Sequence, residues 1–469
     1  MQEKEKIVLT PLEALFQKQR SSFNQAAGED WSDRKKRLQT LKRVIRKSRL
    51  ELAQAVSEDI PGRRPEETLL CEVMSVVSEI SLMLKKGKGW SKREAVSTPM
   101  KFFPAKSYTE LRPRGVVGII GAWNYPIALT LVPAIDAIAA GNRVMIKLPE
   151  RSPATSAALE RIINEAFDEA EVHAIAGDVS LARNFSKLPF DLLLYTGSSA
   201  VGCEVMQEAA GNLTPVILEL GGKSEVLISP WVDLRKATRR LLVGKLLNAG
   251  QTCIAPDVVR VYHEELDSFL EALKENARKL SPKPGDQTAL IDTRAGERIA
   301  ELLKDAKDRG ARVETILPGD SEDPQRLGLR ALIDVPEEAR ISKEEIFGPL
   351  LIIKTYKDIE AEIQSLRELK KKPLALYIFD RDSKRAERIA STVPAGGVTI
   401  NDTLLHFAQN QLPFGGVGES GMGVYHGHAG FEAFSHRVPV FKQSRFSTFG
   451  LFDPPYSVLA KALIRILSR

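Results

Sequence analysis

The chain has 469 residues, of which 43% are hydrophobic and 27% are charged, and its formal net charge at pH 7 is +6. This length suffices for two or three domains with sizeable cores, and the composition excludes a fibrous or largely disordered protein. Three cysteines, Cys71, Cys203 and Cys253, are too few for a disulfide scaffold in a chain this long. Together with the charged N-terminus, they predict a cytoplasmic protein without a secretory signal.

The basic excess is spread along the chain, so binding to nucleic acid is not expected. The densest basic run, residues 34–49, has apolar residues at helical spacing and no interleaved aromatic residues, which indicates a solvated amphipathic helix. His426 and His428 flank a glycine-rich turn without Cys or carboxylate ligands at metal spacing. We therefore expect no metal site.

From Gly115 onward, strand-like apolar runs alternate with helical patterns. The predicted elements are a strand at 116–120, a helix at 127–140, a strand at 144–147, a helix at 156–167, a short apolar segment at 173–176, a helix at 180–186, a strand at 191–195 and a helix at 200–210. Ser152 and Pro153 are expected to cap and begin the second helix. This alternation predicts a mostly parallel, doubly wound α/β sheet, which binds ligands at the carboxyl ends of its strands.

Residues 115–141 have a single charged residue, Asp136, but do not predict a membrane span. Asn124, Pro126 and Pro133 interrupt the apolar pattern, which fits a strand, a turn and a helix of a soluble fold.

A second α/β unit is predicted to begin near Glu219. Its elements are strands at 225–228, 258–262, 350–356 and 374–379, together with a helix that is capped by Asp233 and ends near residues 249–250. Cys253 is therefore expected just past the end of a helix. Residues 101–111 and 438–442 are interpreted as strands that leave the main bodies and form an oligomerisation arm.

Cys253 is the cysteine with the chemical surroundings of a nucleophile. Its neighbours Gln251 and Thr252 are polar, and a thiolate needs partial exposure in surroundings that tolerate negative charge. Cys203 lies between valines in a helical stretch, so we expect Cys203, like Cys71, to be structural.

Glu219 lies within an otherwise apolar strand, at 216–220. Burial of a carboxyl group raises its pKa, and a pKa near neutrality suits a general base. The alternative is an internal salt bridge, for which Lys223 is the nearest candidate.

Two further segments lie where strands lead into helices. Asn124 follows the strand at 116–120, and its amide could donate to a developing oxyanion, although a turn-forming Asn explains it equally well. Gly197 and Ser198 precede the helix at 200–210, whose N-terminus could bind a phosphate, although a plain turn is the alternative.

Together, these segments resemble the aldehyde dehydrogenase superfamily from about Leu12 to Phe441. Four motifs occur in the family's order: Trp-Asn-Tyr-Pro at 123–126, Leu-Glu-Leu-Gly-Gly-Lys at 218–223, Gly-Gln-Thr-Cys at 250–253 and Glu-Ile-Phe-Gly-Pro at 345–349. Residues 412–427 are similar to the class 3 branch, particularly to bacterial coniferyl aldehyde dehydrogenase-like members.

The resemblance implies NAD(P)-dependent oxidation of a hydrophobic or aromatic aldehyde to its acid. Cys253 would attack the aldehyde, the Asn124 amide and the Cys253 N–H would hold the oxyanion, and Glu219 would activate water to hydrolyse the thioester. The implied cofactor contacts are Lys147 and Glu150 at the adenosine ribose, Gly197 and Ser198 at the pyrophosphate, and Glu345 and Phe347 at the nicotinamide ribose.

The resemblance also implies an aldehyde dehydrogenase-like α/β fold with a Rossmann-type cofactor domain, an α/β catalytic domain and a small β oligomerisation arm, assembled as a homodimer. The expected bounds are 1–218 for the cofactor domain, interrupted by an oligomerisation strand near 96–114, 219–405 for the catalytic domain, 406–447 for the arm and return segment, and 448–469 for a C-terminal tail with an amphipathic helix.

Several alternatives stay open at this point. Residues 147–150 read Lys-Leu-Pro-Glu where the family often has Lys-Pro-Ser-Glu, so the choice between NAD and NADP is not settled, although the charge of Glu150 disfavours a 2′-phosphate. A CoA-acylating dehydrogenase is disfavoured by Glu219, because hydrolysis is the step that needs a base. A catalytically silent protein is disfavoured by the joint presence of the three proposed catalytic residues.

The C-terminal tail has two interpretations. Residues 457–468 read as a short apolar helix with Lys461 and Arg465 one turn apart, too short to span a bilayer. The helix would pack over the substrate entrance or the dimer partner, or it would contact a membrane surface peripherally.

Overall fold

The computed structural model describes residues 9–26, 29–281, 287–320, 323–446 and 448–468. These residues form three β-sheets with helices packed on the two larger ones. The strands are β1 (Glu94–Val96), β2 (Lys106–Pro113), β3 (Val116–Ile120), β4 (Arg143–Lys147), β5 (Val172–Ile175), β6 (Leu192–Gly197), β7 (Val216–Leu220), β8 (Ser224–Ile228), β9 (Pro256–Tyr262), β10 (Arg312–Thr315), β11 (Arg330–Ile333), β12 (Leu350–Tyr356), β13 (Ala375–Phe379), β14 (Gly397–Ile400), β15 (Gly421–Met422) and β16 (Ser435–Lys442).

The helices range from single turns to elements of more than four turns. They are α1 (Pro11–Gln25), α2 (Trp31–Lys47), α3 (Arg49–Asp59), α4 (Pro65–Thr68), α5 (Met74–Trp90), α6 (Ala128–Ala140), α7 (Pro153–Ala166), α8 (Val179–Ser186), α9 (Ser199–Ala210), α10 (Leu234–Leu246), α11 (Leu266–Leu280), α12 (Thr293–Asp308), α13 (Arg340–Lys343), α14 (Ile359–Arg367), α15 (Ser383–Thr392), α16 (Leu405–Ala408), α17 (Gly427–Ala433) and α18 (Val458–Leu467).

The first large sheet has the strand order β15-β7-β6-β3-β4-β5 in the described residues. Its strands pair in parallel, except that the short β15 runs antiparallel to β7. Successive side chains of a strand point to opposite faces, so Val117 and Ile119 of β3 join one core while Val116 and Ile120 join the other. The prediction of a doubly wound parallel sheet is confirmed, with most element bounds shifted by a few residues.

The second large sheet has the order β10-β11-β12-β9-β8-β13-β14, and only its edge pair β10–β11 is antiparallel among the described strands. The chain passes from the first sheet to the second between β7 and β8, through residues 221–223. The carboxyl end of β7, which carries Glu219, therefore lies at the junction of the two sheets.

The third sheet is antiparallel, with the order β1-β2-β16, and β2 pairs with β16 from Lys106↔Lys442 to Pro113↔Ser435. The two strands predicted for the arm thus pair with each other. The prediction of a strand over residues 101–105 is wrong, because a 3-10 turn at Met100–Phe102 is followed by Pro104, which has no N–H to donate to a β-ladder.

The prediction for Cys203 is wrong, and the amphipathic helix predicted for the basic run is present as α2 but less solvated than expected. Cys203 is exposed, because α9 turns Gly202 and Val205 toward the core and Cys203 away from it. The basic run of α2 is only partly solvated, since the Arg37 guanidinium is buried between the carboxylates of Glu29 and Glu171.

The cap of α7 also differs from the prediction. Pro153 begins the helix as expected, but the Ser152 hydroxyl donates to the carbonyl of Trp123 at 3.0 Å instead of capping the helix. The first free N–H groups of α7 are bound by the carboxylate of Asp59, at 2.9 and 2.8 Å. A side chain distant in sequence therefore performs the capping.

Candidate active site

Cys253 lies in a turn that follows α10, as predicted, but the helix ends earlier than expected. α10 stops at Leu246, and the 3-10 turn Leu247–Gly250 contains Asn248 and Ala249 with φ of 51° and 55°, in the left-handed region. A regular helix cannot continue through such residues. The chain is redirected there, which brings Cys253 to the junction of the two sheets.

Hydrogen bonds to its backbone hold the cysteine turn. The Tyr377 hydroxyl donates to the Ile254 carbonyl at 2.6 Å, and the Ser224 hydroxyl donates to the Cys253 carbonyl at 3.4 Å. Both donors lie on strands of the second sheet. The half-buried Cys253 is thus presented by a turn anchored to a rigid scaffold.

Asn124 is brought to the cysteine turn. Its Nδ2 donates to the Gln251 carbonyl at 3.0 Å, two residues before Cys253. The Asn248 amide bridges the same two segments, because its Nδ2 donates to the Asn124 carbonyl at 2.9 Å and to the Gln251 carbonyl at 3.1 Å. Sequence reasoning missed Asn248, and no local pattern predicts its left-handed backbone.

Glu219 is buried on β7 and its carboxyl group forms no hydrogen bond or ion pair with the described residues. Neither carboxylate oxygen has a hydrogen-bond partner among the described residues. Desolvation raises the pKa of Glu219 well above its ordinary value. The salt-bridge alternative is wrong, since the Lys223 Nζ donates instead to the carbonyls of Ile341 at 2.7 Å and Glu344 at 2.9 Å.

Glu345 is a second buried carboxyl group at the same junction. Burial, with a further contribution from Asp257, raises the pKa of Glu345 to about 8. A Cβ built on Gly221 would lie 1.9 Å from the Glu345 Oε2. The side chain therefore occupies space that only a glycine in the connection between the sheets leaves free.

Two carboxyl groups contribute to the electrostatic environment of Cys253. Burial raises the pKa of its thiol above the ordinary value, and the carboxylates of Glu345 and Glu219 raise it further. Burial and these two carboxyl groups therefore disfavour the thiolate of Cys253 relative to the thiol. The structure thus brings Cys253 together with Glu219 and Glu345.

A cavity of about 1020 Å³ opens between the two sheets, at the upper end of the range of about 300–1,000 Å³ that is typical of ligand pockets. Ser198, Gly221, Gly222 and Glu345 contribute to its lining. Ser198 follows Gly197, the last residue of β6, and its hydroxyl caps α9 by accepting from the Val201 N–H at 3.4 Å. The N-terminus of α9 therefore faces a cavity large enough for a dinucleotide, and such a terminus suits a pyrophosphate.

Lys147, Glu150 and Phe347, which are also predicted to bind the cofactor, are not among the residues that line this cavity. Lys147 ends β4, is fully buried and forms an ion pair with the partly exposed Glu150. Phe347 adopts a left-handed backbone with φ of 50°, and its ring meets that of Trp123 edge-on at 5.6 Å.

Sequence reasoning missed Arg151 beside this group. Its guanidinium lies 4.6 Å from the Trp123 ring centroid and pairs with Asp292 at 2.6 Å. An arginine directly after a predicted ribose-binding residue was the only signal that the sequence offered.

Neither a metal centre nor a membrane span is found in the described part of the chain. No three His, Cys, Asp or Glu side chains there are grouped so that they could hold a metal ion. None of the helices given above is long and apolar enough to cross a membrane.

The family model for the aldehyde dehydrogenase family matches residues 10–439. The chain belongs to the aldehyde dehydrogenase family. It is accordingly an oxidoreductase that acts on aldehydes with NAD or NADP as cofactor, and the family predicted from the sequence is confirmed.

Curated relatives cover almost the whole of this family member. A probable coniferyl aldehyde dehydrogenase of Pseudomonas aeruginosa is 41% identical over 460 residues, which make up 97% of this chain and 96% of that protein. A 4,4'-diaponeurosporen-aldehyde dehydrogenase of Staphylococcus aureus is 36% identical over 452 residues, or 95% of this chain and 96% of that protein.

Solved structures of the family share the fold. Staphylococcus aureus AldH in a substrate-bound state matches with a TM-score of 0.91 and 35% identity, covering 98% of this chain and 100% of that one. A betaine aldehyde dehydrogenase of Staphylococcus aureus in complex with NAD+ matches with a TM-score of 0.83 and 25% identity, covering 94% of this chain and 89% of that one.

Proposed function

We propose that this enzyme oxidises a hydrophobic or aromatic aldehyde to its carboxylic acid through a cysteine thiohemiacetal and a cysteine thioester. The observation that carries the proposal is the position of Cys253 on a rigid turn, next to the unpartnered carboxyl group of Glu219. A nucleophile and a buried base that share one site are the parts that acyl formation and acyl hydrolysis require.

In the first half of the proposed reaction, the Cys253 thiol gives up its proton to solvent, its sulfur bonds to the aldehyde carbon, and the carbonyl π electrons move to oxygen. The Asn124 amide donates to the Gln251 carbonyl at 3.0 Å and is therefore close to the cysteine turn. One of its N–H groups would donate to this oxyanion, and the Cys253 backbone N–H would be the second donor. A bound nicotinamide supplies the hydride acceptor for this chemistry. When the carbon–hydrogen bond breaks and its electron pair leaves as hydride, the C=O bond re-forms and a thioester of Cys253 is left on the enzyme.

In the second half, Glu219 removes a proton from water as the water oxygen bonds to the thioester carbon. The carbon–sulfur bond then breaks, which releases the acid and returns the sulfur of Cys253. A carboxyl group with no competing donor and a raised pKa is suited to holding that proton.

We assign the cofactor to the cavity between the sheets. Gly197 and Ser198 would bind the pyrophosphate at the N-terminus of α9, and the Lys147–Glu150 ion pair would hold the adenosine ribose. Glu345 and Phe347 would contact the nicotinamide ribose. The Glu150 carboxylate supports NAD over NADP, because it would repel a 2′-phosphate.

The names of the relatives support the proposed substrate class. Coniferyl aldehyde is aromatic and diaponeurosporenal is a long apolar aldehyde, and the proteins named for them align over nearly the full chain. Aromatic rings also line up behind the site, where Phe407, Phe414 and Tyr425 pack edge to face at 4.9 and 5.9 Å.

We also propose a cytoplasmic homodimer in which a second copy covers the arm and the tail. The rings of Phe102 and Phe449 stack at 5.4 Å and join the tail to the arm, and several large apolar side chains around them are exposed. These include Met100, Phe103, Phe446, Leu459, Ile466 and Leu467. Light scattering of the full chain and of a chain without residues 454–469 tests the proposal, and flotation of the full chain with anionic vesicles would support the membrane contact instead.

The proposed reaction is tested by following NAD(P)H absorbance with a panel of aromatic and aliphatic aldehydes. We expect turnover with aromatic or long apolar aldehydes, no turnover by Cys253→Ala, and no stimulation by CoA. Normal turnover by Cys253→Ala would contradict the proposed nucleophile, and NADH formation that depends on CoA would favour the acylating alternative.

A further inference from the structure

Two buried carboxyl side chains that the proposed reaction does not use face each other where three helices meet. Glu79 lies on α5 and Asp136 on α6, both are fully buried, and the start of α17 closes the junction. No hydrogen bond of regular geometry from the described groups reaches the Glu79 Oε2 or the Asp136 Oδ1, while the two carboxyls interact directly with each other and Glu79 also interacts with the Asn410 side chain. One proton shared by this carboxyl pair satisfies both oxygens, because two adjacent ionised carboxylates are not tolerated in a dry interior.

The other two oxygens of the carboxyl pair bind the backbone at the start of α17. The Asp136 Oδ2 accepts the N–H of His426 at 3.0 Å, and the Glu79 Oε1 accepts the N–H of Gly427 at 2.9 Å. A Cβ on Gly430 would lie 1.9 Å from the Asp136 Oδ2, so α17 admits the carboxyl group only because a glycine is there. Two oxygens of the pair thus accept backbone N–H groups at the start of α17, and the other two face the partner carboxyl group.

The backbone that the pair holds is strained. His426 has a φ of 79°, and a left-handed backbone in a residue other than glycine costs about 1–3 kcal/mol. Its ring packs against Phe407, Phe414 and Tyr425 at centroid distances of 5.0, 5.7 and 4.5 Å. Burial lowers the pKa of His426 to about 3, so the ring is neutral and adds no charge to the aromatic cluster that it joins.

The held segment continues into the active site through Tyr425. The Tyr425 backbone exchanges two hydrogen bonds of 2.9 Å with Phe414, and its buried hydroxyl has no partner among the described residues. Burial first, then the nearby Glu219 carboxyl and Cys253 thiol, raise the pKa of the phenol. The carboxyl pair contributes to the same effect, so Tyr425 is within electrostatic range of both the pair and the two proposed catalytic groups.

The same segment is tied to Glu219 a few residues earlier. β15 pairs with β7 so that Gly421 is opposite Glu219. The chain from Gly421 to Gly427 is therefore fixed at one end beside the proposed base and at the other end by the carboxyl pair.

We propose that Glu79 and Asp136 are positioning residues for the site of Cys253 and Glu219. They hold the His426 and Gly427 N–H groups and thereby keep the Tyr425 phenol near Glu219 and Cys253. The inference rests on the proposed function, because it assigns the pair to that reaction. The single shared proton has a direct consequence for substitution. Asparagine at 136 reproduces a protonated aspartate, since its oxygen accepts the backbone N–H and its nitrogen donates to Glu79.

The test measures kcat, the KM values for aldehyde and cofactor, and the midpoint of thermal unfolding. Asp136→Leu is expected to lower kcat by about 10–100-fold without changing the KM for the cofactor, because small misplacements at a reacting centre have effects of that size. Asp136→Asn is expected to stay within about twofold of the wild type, since it keeps both hydrogen bonds. Gly430→Ala is the second variant, because the added Cβ would displace the Asp136 carboxyl group without removing it. It is expected to lower kcat as Asp136→Leu does, and it replaces that variant in the test if Asp136→Leu does not fold.

A double-mutant cycle separates positioning from general destabilisation. If the pair acts through the phenol, Asp136→Leu or Gly430→Ala combined with Tyr425→Phe lowers kcat no more than the stronger single change. Asp380→Asn is the matched control, because the Asp380 carboxylate is also buried but accepts a hydrogen bond from Ser229, outside the Gly421–Gly427 segment. This variant should lower the midpoint of thermal unfolding without lowering kcat.

The outcomes distinguish this inference from the proposed function. An inactive wild type overturns both. An active wild type with an unchanged kcat in Asp136→Leu, or with losses that multiply in the double variant, overturns the positioning role and leaves the proposed reaction standing.

Discussion

The substitution Glu219→Gln tests the buried, unpartnered state of this carboxyl group through protein stability. The side chain is 3% exposed, neither oxygen has a partner in the described structure, and desolvation raises its pKa well above the ordinary value of 4.5. Between pH 4.5 and the raised folded-state pKa, the folded chain keeps a proton that the unfolded chain releases. The free energy of unfolding therefore falls as pH rises through this window. Below pH 4.5 the group is protonated in both the folded and the unfolded chain, so its contribution to stability no longer changes with pH.

The magnitude follows from proton linkage. One proton difference changes the free energy of unfolding by about 1.4 kcal/mol per pH unit. Glutamine has a similar shape and does not ionise, so the stability of Glu219→Gln relative to the wild type should increase with that slope as pH rises above 4.5. The variant keeps the stability that the wild type loses through this group as pH rises.

Urea denaturation of the enzyme without cofactor, at pH values from 4.5 to 7, measures this slope. Glu208→Gln on the exposed face of α9 is the matched control. In the same variant, rapid mixing with aldehyde and cofactor should show a burst of NADH followed by slow turnover, because the thioester forms but is not hydrolysed. Parallel stability profiles for Glu219→Gln and the wild type would refute the reasoning about burial, and unimpaired steady turnover would refute the role as base.

Three further predictions concern other buried contacts. Glu345→Gln removes the carboxylate that raises the pKa of Cys253, so alkylation of Cys253 by iodoacetamide at pH 8 should be faster than in the wild type, and a slower rate would contradict this. Asp59→Ala removes the acceptor of the first free N–H groups of α7, which should lower the free energy of unfolding by about 1–2 kcal/mol in urea, with Asp59→Asn less affected. Arg63→Met leaves the buried Glu72 without its guanidinium partner and should lower stability by about 3–5 kcal/mol, and adding Glu72→Gln should recover part of it.

The sequence predicted those features of the fold that depend on local periodicity. Strands β3, β4 and β6 and their following helices were predicted because apolar runs alternate with helical spacing over segments of ordinary length. Glu219 and Cys253 were recognisable since each lies where an apolar element meets a turn of small residues. Patterns of this kind are set by neighbours in the chain and need no knowledge of distant contacts.

The contacts that complete the site depend on residues far apart in the chain. The cap of α7 comes from Asp59, and the cysteine turn is redirected at Asn248, whose amide bridges to the loop of Asn124. One signal was present for the carboxyl pair. Asp136 is the single charge in the apolar run 115–141, and a charged group at a buried helical position requires a partner, yet nothing local identifies that partner as Glu79.

Part of the strained backbone in the described chain lies in segments that border the proposed site, and its persistence there has a physical explanation. Asn248 and Ala249 precede the cysteine turn, Phe347 follows Glu345, and His426 follows Tyr425, and all four lie in the left-handed region. Each such residue costs about 1–3 kcal/mol and persists only where surrounding contacts outweigh it. Hydrogen bonds supply those contacts at Asn248 and His426. Because the strained segments carry the groups that face the cleft, removing these side-chain anchors should disturb the site before it disturbs either sheet.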